Sequence, residues 1–472
     1  MTLFLHRSLR AGMAACVLLA AACTPSARAG AGGPAPDRAS VPEVRAWTAE
    51  SPAGEISRWV RRECTGRDRQ TCVERSLVNL IGQAGIGRTM EVLDTLVNVD
   101  ADVRQNAHAL AHGLAIAAYR TPETLATTFA ACPPTQMSGC YHGVVQGYFL
   151  SLAAQGRTPG TPELDVMCEP HRASTFLFFQ CAHGVGHGLM AVYDNHVPMS
   201  LEACDLASDG FIRESCYGGV FMENIVRITH PHHTAEGHAG TQGHDGHGAR
   251  PAADGGHGAH GAGEHAAADA HAGHGATGQQ ADAHAGHGGM QHGEWRPLDR
   301  GDPLYPCNAV DAKYQASCYT MQSSAILFFN GGDVRATARA CEQAPAAYVS
   351  TCFASLGRDI TALASQNHAR SLELCARTSG LAGGQGELWC QLGVVQNLVN
   401  LAADPDEGMR FCRAVPGSAA KGECYRVVGE TIATLVAGTA QRGQSCQSAE
   451  PEFVRACRRG AGVESAGGRD DE

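Results

Sequence analysis

The chain has 472 residues, 44% hydrophobic but only 6% aromatic, with a formal net charge of −11. That acidic balance excludes a polybasic face, and with it a nucleic-acid partner or an electrostatic membrane patch. The length admits two or three domains or one repeat array, and with so few aromatic rings any core must be built from small aliphatic residues and held by other means.

At the N-terminus His6, Arg7 and Arg10 precede an apolar stretch from Ala11 to Ala22. It has signal-peptide length and is too short to span a bilayer. Leu19-Ala20-Ala21-Ala22-Cys23 resembles the lipobox of bacterial lipoproteins. The resemblance implies cleavage after residue 22, lipidation of Cys23 and a membrane-anchored protein of the cell envelope. Ala20 stands where leucine is commoner, and Ala27-Arg28-Ala29 offers an ordinary cleavage site instead. Residues 1–22 are thus expected to be a signal peptide and 23–53, rich in Gly, Pro and Ala, a flexible tether.

Setting Cys16 and Cys23 aside, 18 of the 20 cysteines remain, an even number in an exported chain, which reads as nine disulfides. They fall into nearest-neighbour pairs: Cys64 with Cys72, Cys132 with Cys140, Cys168 with Cys181, Cys204 with Cys216, Cys307 with Cys318, Cys341 with Cys352, Cys375 with Cys390, Cys412 with Cys424, and Cys446 with Cys457. Zinc knuckles use two to four intervening residues, whereas these pairs enclose seven to fourteen. First members recur every 34 to 37 residues, with two exceptions. One gap is double, as if a unit between Asn98 and Ala131 had lost its cysteines, with Asn106 in the second cysteine's place. The other holds a histidine-rich tract from His230 to His292, without which 40 residues remain.

This is helical-hairpin period. In each unit the second cysteine opens a longer helix, as in Cys140-Tyr141-His142-Gly143-Val144-Val145-Gln146. A break follows, often with a cap and proline such as Thr121-Pro122, Thr161-Pro162 or Asp404-Pro405, and a short helix then leads to the next first cysteine. The expected fold is all-α, a solenoid of about ten hairpins with one disulfide per repeat, divided into an N-terminal half, 54–229, a disordered loop, 230–300, a C-terminal half, 301–458, and a disordered tail, 459–472. From Cys64 to Cys457 the period and cysteine placement resemble Sel1-like and tetratricopeptide proteins, although the Trp-Leu-Gly-Tyr pattern of the latter is missing. That resemblance implies a protein-binding scaffold and transfers no site residue.

Alignment on the second cysteine puts His108, His142 and His183 in one row, and His112, Gln146 and His187 in a row four residues later. On helices these positions share a face. Neighbouring helices lie about 8–10 Å apart, so imidazoles from three of them can converge on one ion. Gly113, Gly143, Gly147, Gly184 and Gly188 form the adjoining stripe, suited to close helix packing. Two readings stay open: a zinc or copper site in a subset of these histidines, with Glu223 as a nearby ligand or general base, or a polar ladder in which His and Gln satisfy one another. In the C-terminal half the same rows carry Arg358, Gln396, Arg426 and Glu430, flanked by Asp359 and Asn397, and no histidine pair.

The tract holds 14 of the 23 histidines, including the pairs His244 and His247, His257 and His260, His271 and His274, and His284 and His287. So little apolar surface predicts disorder. Tandem neutral imidazoles predict weak, exchangeable binding of Zn, Cu or Ni. Serine-nucleophile, phosphate-loop, dinucleotide and zincin motifs are missing from the sequence. The leading expectation is a membrane-anchored metal-binding protein. The alternatives are a metal-dependent enzyme using the row histidines with Glu223 assisting, and a metal-free scaffold for another envelope protein.

Overall fold

The computed structural model describes residues 46–229 and 295–464, which belong to one unit, Val41–Glu472. The signal peptide, Cys23, most of the tether and the paired tract histidines, His244, His247, His257, His260, His271, His274, His284 and His287, lie outside the described residues.

The described residues form helices and no strand. The N-terminal set comprises α1 (Ala53–Glu63), α2 (Arg69–Val99), α3 (Ala101–Gln105), α4 (Ala107–Ala118), α5 (Leu125–Ala130), α6 (Gly139–Ala154), α7 (Thr161–Met167), α8 (Thr175–Val192), α9 (Val197–Cys204) and α10 (Gly210–Thr229). After the tract come α11 (Ala312–Tyr319), α12 (Gln322–Phe329), α13 (Val334–Cys341), α14 (Val349–Leu363), α15 (His368–Ala376), α16 (Gly386–Ala402), α17 (Pro405–Ala414), α18 (Ser418–Leu435), α19 (Thr439–Ser445) and α20 (Val454–Gly460).

Each even-numbered helix packs on the next even-numbered one, from α2 to α20. Short helices such as α9, α13, α15 and α17 each bridge the two even helices beside them. The row also returns on itself, because α16 packs on residues 136–138 and α18 packs on α8. Helix α8 is apolar or small on almost every side and buries all of Gln180 to Met190. Glycine sets the spacing of the even helices. A methyl group added at Gly186 would overlap the Cys216 carbonyl oxygen, and one at Gly219 the His183 carbonyl oxygen, so α8 and α10 meet backbone to backbone.

Among the described residues nine disulfides tie neighbouring elements together, each of these cysteines bonded to its nearest neighbour in sequence. Cys168 at the end of α7 binds Cys181 within α8, and Cys375 in α15 binds Cys390 in α16. Closing loops of this size stabilises by roughly 3 kcal/mol each, which supplements a core poor in rings. The long helix α2 is bent: Gly85, at φ 79°, breaks it into two helical segments, a conformation glycine adopts without steric penalty.

Several boundaries differ from the sequence expectation. Trp47, within the expected tether, is buried, packs edge-on against Trp59 at 6.0 Å and donates its backbone N–H to Gln83 Oε1 at 2.8 Å. Residues 295–300, expected in the loop, include Arg296 and Asp299 paired at 2.8 Å and the Pro297 carbonyl that accepts from Asn224 Nδ2 at 2.9 Å. The last helix continues to Gly460, past the expected boundary at 458, because Ala461 is buried beneath it and Arg458 bonds Glu464 at 3.2 Å. Asp404 caps α17 as expected, but Gly160, not Thr161, is the N-cap of α7. The two sides of the tract are joined at Asp205, whose carboxylate accepts from Tyr217 at 2.5 Å and from both Lys313 and Tyr314 at 2.6 Å. No helix among the described residues is long and apolar enough to cross a membrane.

Candidate metal centre

Three adjacent even helices bring the row histidines together. His108 and His112 come from α4, His142 from α6, and His183 and His187 from α8. Ring centroids lie 5.3 Å apart for His108 and His112, 5.4 Å for His112 and His142, 4.7 Å for His142 and His183, and 4.6 Å for His112 and His187. Ligand nitrogens lie within 4.8 Å of one another in two triads, His108 with His112 and His142, and His142 with His183 and His187. Tetrahedral Zn–N bonds of about 2.0–2.1 Å put ligand nitrogens roughly 3.3 Å apart, so each ring must move inward by less than about 1 Å to close on an ion.

What surrounds the rings decides which nitrogens are free. His108 Nδ1–H donates to the Gln136 carbonyl at 2.8 Å, and His112 Nδ1–H to Gln146 Oε1 at 3.1 Å. His142 Nε2–H donates to Gln180 Oε1 at 2.7 Å, and His187 Nδ1–H to Glu223 Oε2 at 2.8 Å. These bonds set the tautomers and point the opposite nitrogens into the cluster. His112 Nε2, His142 Nδ1 and His187 Nε2 are buried without a hydrogen-bond partner, and His183 has the Ser215 backbone beside its ring. An acceptor on the outer nitrogen of an inward-facing imidazole is the arrangement that orients metal-binding histidines and raises their basicity.

Burial favours the neutral form of four of the rings. It pushes His112, His142 and His183 well below the usual imidazole value, and neighbouring imidazoles push the same way. His108 is lowered to about 4, burial outweighing its bond to the Gln136 carbonyl. Neutral imidazole is the ligating form.

The sequence rows contain all five histidines and Gln146, with Glu223 named beside them, and the structure brings these side chains together. Glu223 is turned onto His187 Nδ1 and is buried, which makes it an orienting partner. Rows missed Gln180, directly before Cys181, and the Gln136 carbonyl. That carbonyl belongs to three successive non-glycine residues in the left-handed region, Gln136, Met137 and Ser138, at φ 55°, 51° and 61°. Such strain persists where surroundings enforce it, and here Asp94 accepts from Gln136 Nε2 at 2.9 Å and from Thr135 Oγ1 at 3.0 Å. Rows also placed Arg358 in a separate groove. In the structure it is near enough to His108 to disfavour positive charge there, while its own guanidinium bonds Asp359, Ser324 and the Thr320 carbonyl. The glycine stripe behaves as expected at Gly143, Gly147, Gly184 and Gly188, each of which lies too close to the next helix to admit a methyl group.

Compared with family models, curated proteins and solved structures, the chain matches none.

Proposed function

We propose that this is an exported metal-binding protein of the cell envelope that holds a transition-metal ion, zinc or copper, among His108, His112, His142, His183 and His187. The observation that carries this reading is the set of buried, partnerless ring nitrogens facing one another, each of His112, His142 and His187 being fixed from behind by an acceptor. A buried polar atom without a partner costs about 1–3 kcal/mol, and a polar ladder would have joined these nitrogens to one another. A metal ion satisfies them together, and an all-imidazole set suits zinc, copper or nickel over harder cations.

Around this centre we read the row of even helices as a solenoid of hairpins related to the Sel1-like kind, anchored through lipidated Cys23. The tract from His230 to His292 serves as a weaker, exchangeable reservoir that feeds it. Nine disulfides are compatible with an oxidising compartment.

Elemental analysis tests the reading. The full chain and a variant without residues 230–292 should both retain tightly held metal after gel filtration, and His142→Ala with His187→Ala should abolish it in the shortened chain. Shortened protein that retains no metal would overturn the proposal.

A further inference from the structure

We propose that the five imidazoles form one two-position path in which a single ion moves between the His108–His112–His142 triad and the His142–His183–His187 triad while staying bound to His142. This rests on the metal reading above and specifies its stoichiometry and route.

The shared ligand is the first ground. Both triads require His142, and its Nε2–H is committed to Gln180 Oε1 at 2.7 Å. Only Nδ1 keeps a lone pair, and one lone pair binds one ion at a time. Charge is the second ground. Five neutral imidazoles offset none of the charge of two divalent cations held this close, and among the described residues the one carboxylate bonded to a cluster ring is Glu223.

The two positions are unequal, which gives the path a direction. His108 is the least buried of the five, whereas His183 and His187 are 6% and 1% exposed. Glu223 stands behind His187 at 2.8 Å and stabilises a cation at the inner triad, whereas no carboxylate bonds a ring of the outer triad among the described residues. Between the triads the His112 and His187 rings face each other at 4.6 Å. An ion held by His142 can therefore exchange His112 for His187 without crossing free space. The outer triad acts as the entrance and the inner triad as the resting place.

The full-length chain, loaded with Zn2+ and desalted in a weak chelator that strips the tract, provides the test. Wild type should retain one more Zn2+ per chain than His142→Gln. His108→Gln should load about tenfold more slowly than wild type, the rate equivalent of one weakened ligand contact in the transition state. His187→Gln should release Zn2+ to a strong chelator more than about 100-fold faster than wild type, beyond the range that loss of an outer partner reaches. Far-UV circular dichroism and non-reducing peptide mapping identify variants that fold as wild type, and His108→Ala repeats the loading measurement. Two additional ions in wild type, or unchanged loading in folded His108→Gln and His108→Ala, would overturn the path while leaving the metal site standing. Equal retention by wild type and His142→Gln would instead remove the metal site itself.

Discussion

At the scale of single residues, the centre depends on what lies behind each imidazole. Glu223 fixes the Nδ1–H of His187 and supplies the negative charge nearest the inner triad. Replacing it by glutamine keeps the size and removes the charge, and should weaken zinc binding by about 10–100-fold in a chelator-competition titration, without changing the fold. Glycine acts through absence. A methyl group at Gly219 would collide with the His183 carbonyl, which belongs to the backbone and cannot swing aside. Gly219→Ala should destabilise by about 1–3 kcal/mol or more in chemical denaturation and, by pushing α8 away from α10, should separate His187 from Glu223 and weaken zinc binding as well.

At the scale of elements, short helices are held by bridges and long ones by contact. The pair α15 and α17 shows a polar version of the staple: His368 Nε2 bonds Glu407 Oε1 at 2.7 Å, and Arg410 bonds the other carboxylate oxygen. The His368 hydrogen bond, aided by Arg410 and opposed by partial burial, lowers the Glu407 carboxyl from 4.5 to about 2. A depressed carboxyl stabilises the fold fully above its unfolded value, near 4.5, and that contribution disappears as pH falls towards 2. Thermal melts between pH 6 and pH 2 should therefore show an acid-dependent loss that is smaller in Glu407→Gln, whose melting temperature is already lower at pH 6. Element boundaries were legible in sequence where a cap or a cysteine marked them, as at Asp404 and Cys140. They were not legible at Trp47 or Ala461, where chain outside the repeat period is ordered because a partner distant in sequence covers it.

At the scale of the whole molecule, metal binding and folding are linked. An ion that binds only the folded centre stabilises it according to its concentration, by roughly 4 kcal/mol at a thousandfold excess over Kd. Differential scanning calorimetry should show the melting temperature rising with zinc concentration in wild type and staying constant in a tract-deleted His142→Ala variant. A rise of equal size in that variant would place the stabilising ion elsewhere.

Sequence alone determined the helical class, the cysteine period and the face on which five histidines fall. These follow from short-range regularities: cysteine pairs recurring mostly every 34 to 37 residues and a four-residue spacing between His108 and His112 and between His183 and His187. Which nitrogens are free, and what stands opposite them, was decided only in three dimensions. Gln180 and the Gln136 carbonyl reach their rings because α6 and α8 stack at glycine-limited distance and because Asp94 holds a left-handed turn. Arg358 approaches His108 because the row of helices returns on itself, bringing α16 onto residues 136–138. Periodicity along a chain specifies a face; the partners of that face depend on how far, and at what angle, one helix lies from the next.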